Sequence, residues 1–381
     1  MNVRKLTSQK GITLVALIIT IIVLLILAMV SIALVMNSGI IDKSKSAVDK
    51  YSGEEIQEQI KLAYQEYQMS KYTGTQLTME QALAKTGLDI ASVEGNDSTG
   101  YEVKVNTKDG EKAYIIQANG SVGVSSTEWI DNGNGSFTKG IRTVEVGDTV
   151  YYNSGVVAYE GSGDNQGKWG ILGVENGKLL IMSKENVASV TLSGKQDYLT
   201  DGTTKLNNAC SSFKNPTYAD SVRSVKVEDI NKITGYTAPD PVTYTYTMVD
   251  GKVKRNDQTS ASSTTTFEDI NGKTLPTDSP IEVTANRYSY SLTNYLTSGS
   301  KAHNLLKDNS NVYWLDSPYV SAYAGNAYWE FRYVSGGGVY GDSLWHSSGG
   351  ASGNSLGVRA VVSLKSDIQL SGSSSEGWTI Q

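Results

Sequence analysis

Apolar and polar positions change their period several times along this chain, and each change marks an element. Residues 12–36 form an unbroken apolar run, and no charged residue stands between Lys10 and Asp42. About 20 apolar residues are enough for a helix that crosses a bilayer. After a break at Asn37-Ser38-Gly39, Ser52-Gly53-Glu54-Glu55 reads as a capping box. Ile56, Ile60, Ala63 and Tyr67 follow at spacings of four, three and four, which predicts an amphipathic helix to about Lys71. Its apolar face needs a cover. The pattern supplies one in a small helix near residues 79–86, ended by Gly87, and in strands over 101–105, 112–117 and 121–124. Thr107-Lys108-Asp109-Gly110 and Asn119-Gly120 are the turns of that meander.

Residues 128–139 contain Asp131-Asn132-Gly133-Asn134-Gly135. A calcium loop needs Asp or Asn where Gly133 stands and Glu at the twelfth position, which is Arg142, so a Gly-rich hairpin is expected instead. A domain boundary is placed near Gly140. Beyond it the pattern predicts strands over 149–152, 169–174 and 178–183, the last two joined by Asn176-Gly177, and a short helix over 229–234 ended by Gly235. Residues 236–300 turn rich in Thr and Ser. There Tyr244, Tyr246 and Met248 alternate into an Asp250-Gly251 turn and Val253, which predicts a protruding inserted hairpin, with a flexible stalk-like loop over 257–265 as the alternative. Two β-prone runs, Tyr313-Trp314-Leu315 and 357–364, read as paired central strands that enclose a polar, aromatic and glycine-rich stretch.

Composition sharpens the picture most in that last stretch. Between Asn311 and Leu356 lie six tyrosines, three of the six tryptophans, eight glycines, eight serines and only four charged residues. Tyr and Trp supply large amphipathic area at small rotamer cost while Ser and Gly adapt, which is the composition of a contact surface. A net charge of -6 with no basic run beyond the extreme N-terminus argues against nucleic acid as the main partner. The single cysteine, Cys210, excludes an intrachain disulfide and reads as a buried small apolar residue. Arg4, Lys5 and Lys10 flank the apolar run and place the N-terminus on the cytoplasmic side, with everything after Asp42 outside. A cleaved secretory signal would have a shorter apolar region before a small-residue site.

Two resemblances follow from particular residues. Lys10-Gly11-Ile12-Thr13-Leu14-Val15-Ala16-Leu17 resembles the processing site of type IV prepilins. The resemblance implies that a prepilin peptidase cuts between Gly11 and Ile12 and that the mature chain keeps its apolar segment, with other pilin subunits, the pilus assembly machinery and the membrane as partners. An uncleaved anchor is the alternative. The glutamate that major pilins carry at the fifth mature position is Ala16 here, a departure that the resemblance associates with minor pilins near a fibre tip. The second set is Tyr313-Trp314-Leu315-Asp316-Ser317, Gly357-Val358-Arg359, Val361-Val362-Ser363-Leu364, the run 168–174 and the helix at 224–235. It resembles the C-type-lectin-like domain related to formylglycine-generating enzymes, which serves in some bacteria and phages as the variable protein of a diversity-generating retroelement. Ala360 stands where that pattern would have proline.

Together these readings predict an α+β chain. A leader (1–11), a long pilin-like membrane helix (12–72) and a small β-meander head and linker (73–139) precede a C-type-lectin-like mixed α/β domain (140–381) that carries the insertion 236–300. The enzymatic relatives use paired cysteines or three histidines, and one cysteine with His303 and His346 can assemble neither. No catalytic residue, metal site or cofactor is therefore expected. The function expected is a cell-surface adhesin of minor-pilin or pseudopilin type for an unknown protein or glycan ligand, with a structural pilin or plain membrane-anchored protein as the alternative. By the resemblance, Tyr319, Tyr323, Tyr328, Glu330, Tyr340, Asp342, Ser343, Trp345 and His346 are the variable, outward-facing binding residues. Trp314, Leu315, Val334, Leu344, Gly357, Val358, Arg359, Val361 and Val362 are scaffold.

Overall fold

The computed structural model describes residues 40–74, 76–156, 168–307 and 312–381, with backbone alone for 40–52. The leader, the Gly11-Ile12 junction, the apolar run 12–36 and the break at 37–39 lie outside the described residues. The described residues divide into two compact units, those up to Ser125 and those from Ser126 to Gln381.

In the first unit, helix α1 (Ile40–Thr73) and helix α2 (Met79–Ala84) cover an antiparallel sheet of β1 (Ile90–Asn96), β2 (Gly100–Thr107), β3 (Gly110–Ile116) and β4 (Val122–Val124). The predicted face is the buried one: Ile60 and Ala63 pack with Val103, Val105, Tyr114 and Ile116, while Ile56 and Tyr67 sit at the margin. Ser52 starts no helix, because α1 runs through it. The capping box that forms is on α2, where Thr78 and Gln81 exchange side-chain and backbone bonds. Strand β1 was not anticipated.

The second unit opens with the hairpin β5 (Ile130–Asp131) and β6 (Ser136–Lys139), followed by β7 (Arg142–Glu145) and β8 (Thr149–Tyr151). Left-handed Gly133 and Gly135 shape the hairpin turn. Trp129 and Phe137 are buried in this unit's core, so the boundary falls at Ser126 rather than Gly140. Next come β9 (Lys168–Glu175), β10 (Lys178–Ser183) and β11 (Ala188–Ser193), with Asn176 and Gly177 both at positive φ in the predicted turn. A helical segment over 194–210 ends in α3 (Gly202–Cys210). Then follow β12 (Ala219–Ser224) and α4 (Val227–Thr234), closed by Gly235 at φ 68°.

The insertion holds β13 (Val242–Val249), β14 (Lys252–Arg255), β15 (Phe267–Glu268), β16 (Thr274–Leu275) and β17 (Ile281–Ala285). The chain ends with β18 (Tyr290–Ser291), α5 (Lys301–Leu306), β19 (Tyr313–Ala322), β20 (Ala327–Ser335), β21 (Gly338–His346), β22 (Gly350–Ala351), β23 (Gly353–Val358), β24 (Ala360–Leu364), β25 (Leu370–Ser373) and β26 (Gly377–Ile380). Two large sheets result. One has the order β12-β24-β10-β9-β8-β26-β25, the other β11-β23-β19-β20-β21-β18 with β22 on β21. A single core draws on both, with Trp169, Ile181 and Val361 from the first and Trp314, Phe331 and Val358 from the second.

The expected fold class is corrected by these elements. The described residues are about 43% strand and 20% helix, and the larger unit is built of two large sheets, three small ones and short helices, so a mixed α/β domain does not describe it. Among the described residues no helix is long and apolar enough to cross a membrane. The long helix that is described, α1, carries charges along its whole length. The two flanking runs also part company. Strand β19 meets β23 at one parallel position, Tyr313↔Gly357, whereas β24 lies in the other sheet between β10 and β12. Arg359 marks the crossing. Its buried guanidinium donates to the carbonyls of Ser183 and Leu305 and lies 5.0 Å from the Tyr313 ring. The insertion does not protrude as a free hairpin: Tyr246, Val253, Phe267 and Val283 share a core with Val320, Ala327 and Trp329.

Candidate binding surface

Residues opposite one another in an antiparallel ladder share a face of the sheet. The register of β19, β20 and β21 therefore sorts the aromatic stretch into two sets. Tyr319, Glu330 and Ser343 form one row, Ser321, Tyr328 and His346 the next, and Arg332 with Gly341 a third, all on one face. Val320, Trp329 and Trp345 form a row on the other, which also holds Phe331 with Asp342 and Tyr333 with Tyr340. A bulge at Trp329/Glu330, where buried Leu344 is the extra residue, offsets β21 by one position.

The second face is largely covered. Tyr198 of the segment 194–210 meets Phe331 edge-on at 6.4 Å, Lys195 Nζ lies 4.3 Å above the Trp345 ring, and the insertion packs on Val320 and Trp329. Tyr340 remains 42% exposed on that face, 6.0 Å from Tyr333.

On the first face Ser321 is fully buried, but the outer end around Tyr323, Tyr328 and His346 stays partly open. Tyr323, in the turn after β19, is 42% exposed and meets Tyr328 edge-on at 5.4 Å; Tyr328 in turn lies 6.1 Å from the His346 ring. Arg287, exposed beside them, sits 5.2 Å from the Tyr323 ring and donates to its hydroxyl. His346 is held by Ser348 Oγ, 3.0 Å from its Nδ1. The array Arg287, Tyr323, Tyr328, His346 is continuous and offers stacking area, a cation and hydrogen-bonding edges together.

The inner rows of this face are buried, and here the expectation that nine residues face outward is corrected. Tyr319 is 4% and Glu330 7% exposed. The Tyr319 ring lies flat over Gly341, whose missing side chain makes the room, and 4.2 Å from the Arg332 guanidinium. Burial pushes the Glu330 carboxyl above its ordinary range, against the opposing pull of the Tyr319 hydroxyl and the Arg287 charge. Tyr323, Tyr328, Ser343 and His346 are thus brought together on the open face, while Tyr340, Asp342 and Trp345 belong to the opposite one. Sequence reasoning passed over Arg287 and Arg332; a lone cation in an almost uncharged aromatic stretch was the available signal for Arg332. The residues assigned to scaffold are buried, except that Gly357 is half-buried.

The other reactive groups are held structurally. Cys210 is buried, and burial pushes its thiol up to about 12. His303 is 4% exposed inside α5, where its Nδ1 accepts from the Gly299 amide at 3.3 Å. Among the described residues no group of three or more His, Cys, Asp or Glu is placed to hold a metal ion. Compared with known protein families, characterised proteins and solved structures, the chain matches none.

Proposed function

We propose that the chain is a surface-displayed binding protein, an adhesin, whose working surface is the open face of β19, β20 and β21. The observation that carries this reading is the continuous array of Arg287, Tyr323, Tyr328 and His346, partly exposed rings in mutual contact beside an exposed cation. Solvent-facing aromatics grouped this way are unusual where no ligand is engaged, and Tyr with Arg dominates the energetic centres of interfaces. The array borders on packed side chains, because the inner rows of the same face are buried. Ligands of this surface are glycans or proteins that present flat apolar patches with polar rims.

Display at a membrane or on a pilus is the second part of the proposal and rests on the residues before α1. The basic flank, the Lys10-Gly11-Ile12 junction and the apolar run 12–36 support it. Ala16, with no carboxylate to pair with a neighbouring subunit's terminal amine, fits a low-copy subunit better than a shaft subunit.

The test is binding of the labelled full chain to immobilised glycans and to intact bacterial and animal cells. The parent chain should bind a subset saturably. Tyr323→Ala/Tyr328→Ala/His346→Ala should lose that binding by about 30-fold or more, as expected for about 2 kcal/mol of interface contact. Saturable binding that survives the triple substitution would refute the assignment.

A further inference from the structure

A second site adjoins the inner end of the face that carries the aromatic array, and its argument does not depend on the array. A cavity of about 780 Å³ opens between the start of α4, the residues leading out of it and the inner end of the β19–β20 face. Arg332 forms part of its wall. This side chain is 2% exposed, yet the described residues offer it no carboxylate: Nη1 donates to Tyr288 O at 2.9 Å and Nη2 to Asn286 O at 3.0 Å. Its faces are taken by aromatic rings, Tyr288 at 3.6 Å and Tyr319 at 4.2 Å. A guanidinium has five N–H donors in a planar fork, so two carbonyls leave it under-used. Burying such a charge without a counter-charge is costly.

The other charges of the cavity divide into satisfied and unsatisfied groups. Arg223 is committed to Asp229 through two bonds of 2.6 and 2.7 Å. Asp316 accepts from Thr203 Oγ1 at 2.6 Å and from Asn207 Nδ2 at 2.9 Å. Glu175, Glu228 and Asp240 also line the cavity; all three are exposed, and among the described residues none has an ion-pair partner. Lys226 stands exposed at the rim as the remaining cation. One wall thus presents a buried guanidinium with no carboxylate bonded to it, on which Glu228 acts only at a distance, and the mouth presents an excess of carboxylates without ion-pair partners.

That separation of charge selects a ligand with both signs. The geometry points to a binding site for a small zwitterion of the α-amino acid or short peptide class, its carboxylate on the Arg332 fork and its ammonium toward Glu228 and Asp240. A planar carboxylate matches the guanidinium fork, and Tyr288 offers the adjoining apolar surface. A plain anion would meet repulsion from the acidic mouth, and a plain cation would leave Arg332 uncompensated. The cavity size fits, since small-ligand sites commonly occupy about 300 to 1,000 Å³.

Calorimetric titration of the full chain tests this. The probes are free α-amino acids and dipeptides at up to about 10 mM, beside the matching acids without the amine and amines without the acid. At least one zwitterion should bind with a dissociation constant of about 1 mM or tighter, and both single-charge analogues about tenfold or more weakly. Arg332→Gln should abolish binding, with near-ultraviolet circular dichroism reporting the fold. Glu228→Gln/Asp240→Asn changes exposed residues only and should reduce the zwitterion's affinity to that of its amine-free analogue. No binding by any zwitterion, equal binding by the amine-free acids, or unchanged affinity in Glu228→Gln/Asp240→Asn would overturn the inference. If Arg332→Gln does not fold, the exposed pair decides alone.

Discussion

Replacing Gly341 with alanine tests the architecture of the binding face through the sign of a single stability change. Gly341 lies outside the left-handed region, so its backbone accepts any residue. In open space the substitution would stabilise by about 0.4 to 1 kcal/mol, through reduced freedom of the unfolded chain. The space is not open. A Cβ built on Gly341 falls 1.8 Å from Tyr319 Cε1 and Oη and 2.0 Å from Cζ. Ordinary carbon contacts begin near 3.5 Å, so the ring would have to retreat by roughly 1.5 to 2 Å. It is 4% exposed and lies 4.2 Å from the Arg332 guanidinium, which leaves it no unoccupied direction. Overpacking of this kind costs about 1 to 3 kcal/mol, and a loosened contact with Arg332 adds about 1. The sum, about 2 to 4 kcal/mol, should lower the thermal midpoint by roughly 4 to 16 °C in a unit of this size. Urea denaturation followed by tryptophan fluorescence gives the equilibrium value. Tyr319→Ala alone should cost about 3 to 5 kcal/mol, and Gly341→Ala added to it should then cost nothing or stabilise slightly. A Gly341→Ala chain more stable than the parent would mean that Tyr319 does not lie over Gly341, and the account of the buried inner rows would fail.

Trp314 is fully buried and its Nε1 donates to Val190 O at 2.9 Å; Trp314→Ala should cost about 3 to 5 kcal/mol in chemical denaturation, and a loss below about 1 would place it outside the core. Burial acts to raise the Asp148 carboxyl, but Lys301, Ser374, the Glu145 amide and Trp378 outweigh it and hold the group below its ordinary value of 3.8. A group depressed in the folded state contributes stability that is complete above the unfolded value and lost as pH falls through the folded one. The thermal midpoint of Asp148→Asn should therefore fall less steeply than that of the parent below about pH 4, and parallel acid limbs would contradict this. Intact-mass measurement of protein from cells with an active prepilin peptidase should show loss of residues 1–11, and recovery of only the full-length chain would remove the pilin part of the proposal.

What could be read from the residues was mostly local. Asn176-Gly177 and Gly235 announce their turn and helix end because positive φ is a property of one or two residues. The helix face of Ile56, Ile60 and Ala63 likewise follows from spacing alone. Burial of Tyr319 and Glu330 was not legible, because the Tyr319 ring depends on the space left by Gly341, two strands away. Strand alternation divides the nine expected contact residues between two faces, and the bulge at Leu344 decides which of them Trp345 and His346 take. The boundary near Gly140 failed for a long-range reason, since Trp129 is anchored by its amide to Gly177 O at 2.9 Å and buried with Phe137 in the core of the second unit. The insertion looked free because its Thr and Ser content is that of a solvated loop, yet Tyr246, fully buried, donates its hydroxyl to Tyr323 O at 2.7 Å.

The central claim is that one face of the β19, β20 and β21 sheet binds and the other does not. Its most direct measurement is quantitative binding of three labelled full-length chains to the same cells or glycans: the parent, Tyr323→Ala/Tyr328→Ala/His346→Ala, and Tyr340→Ala/Asp342→Ala. The open-face variant should lose about 30-fold or more in affinity while the opposite-face variant stays within about twofold of the parent. Equal losses in both, or a loss confined to the Tyr340→Ala/Asp342→Ala chain, would contradict the account.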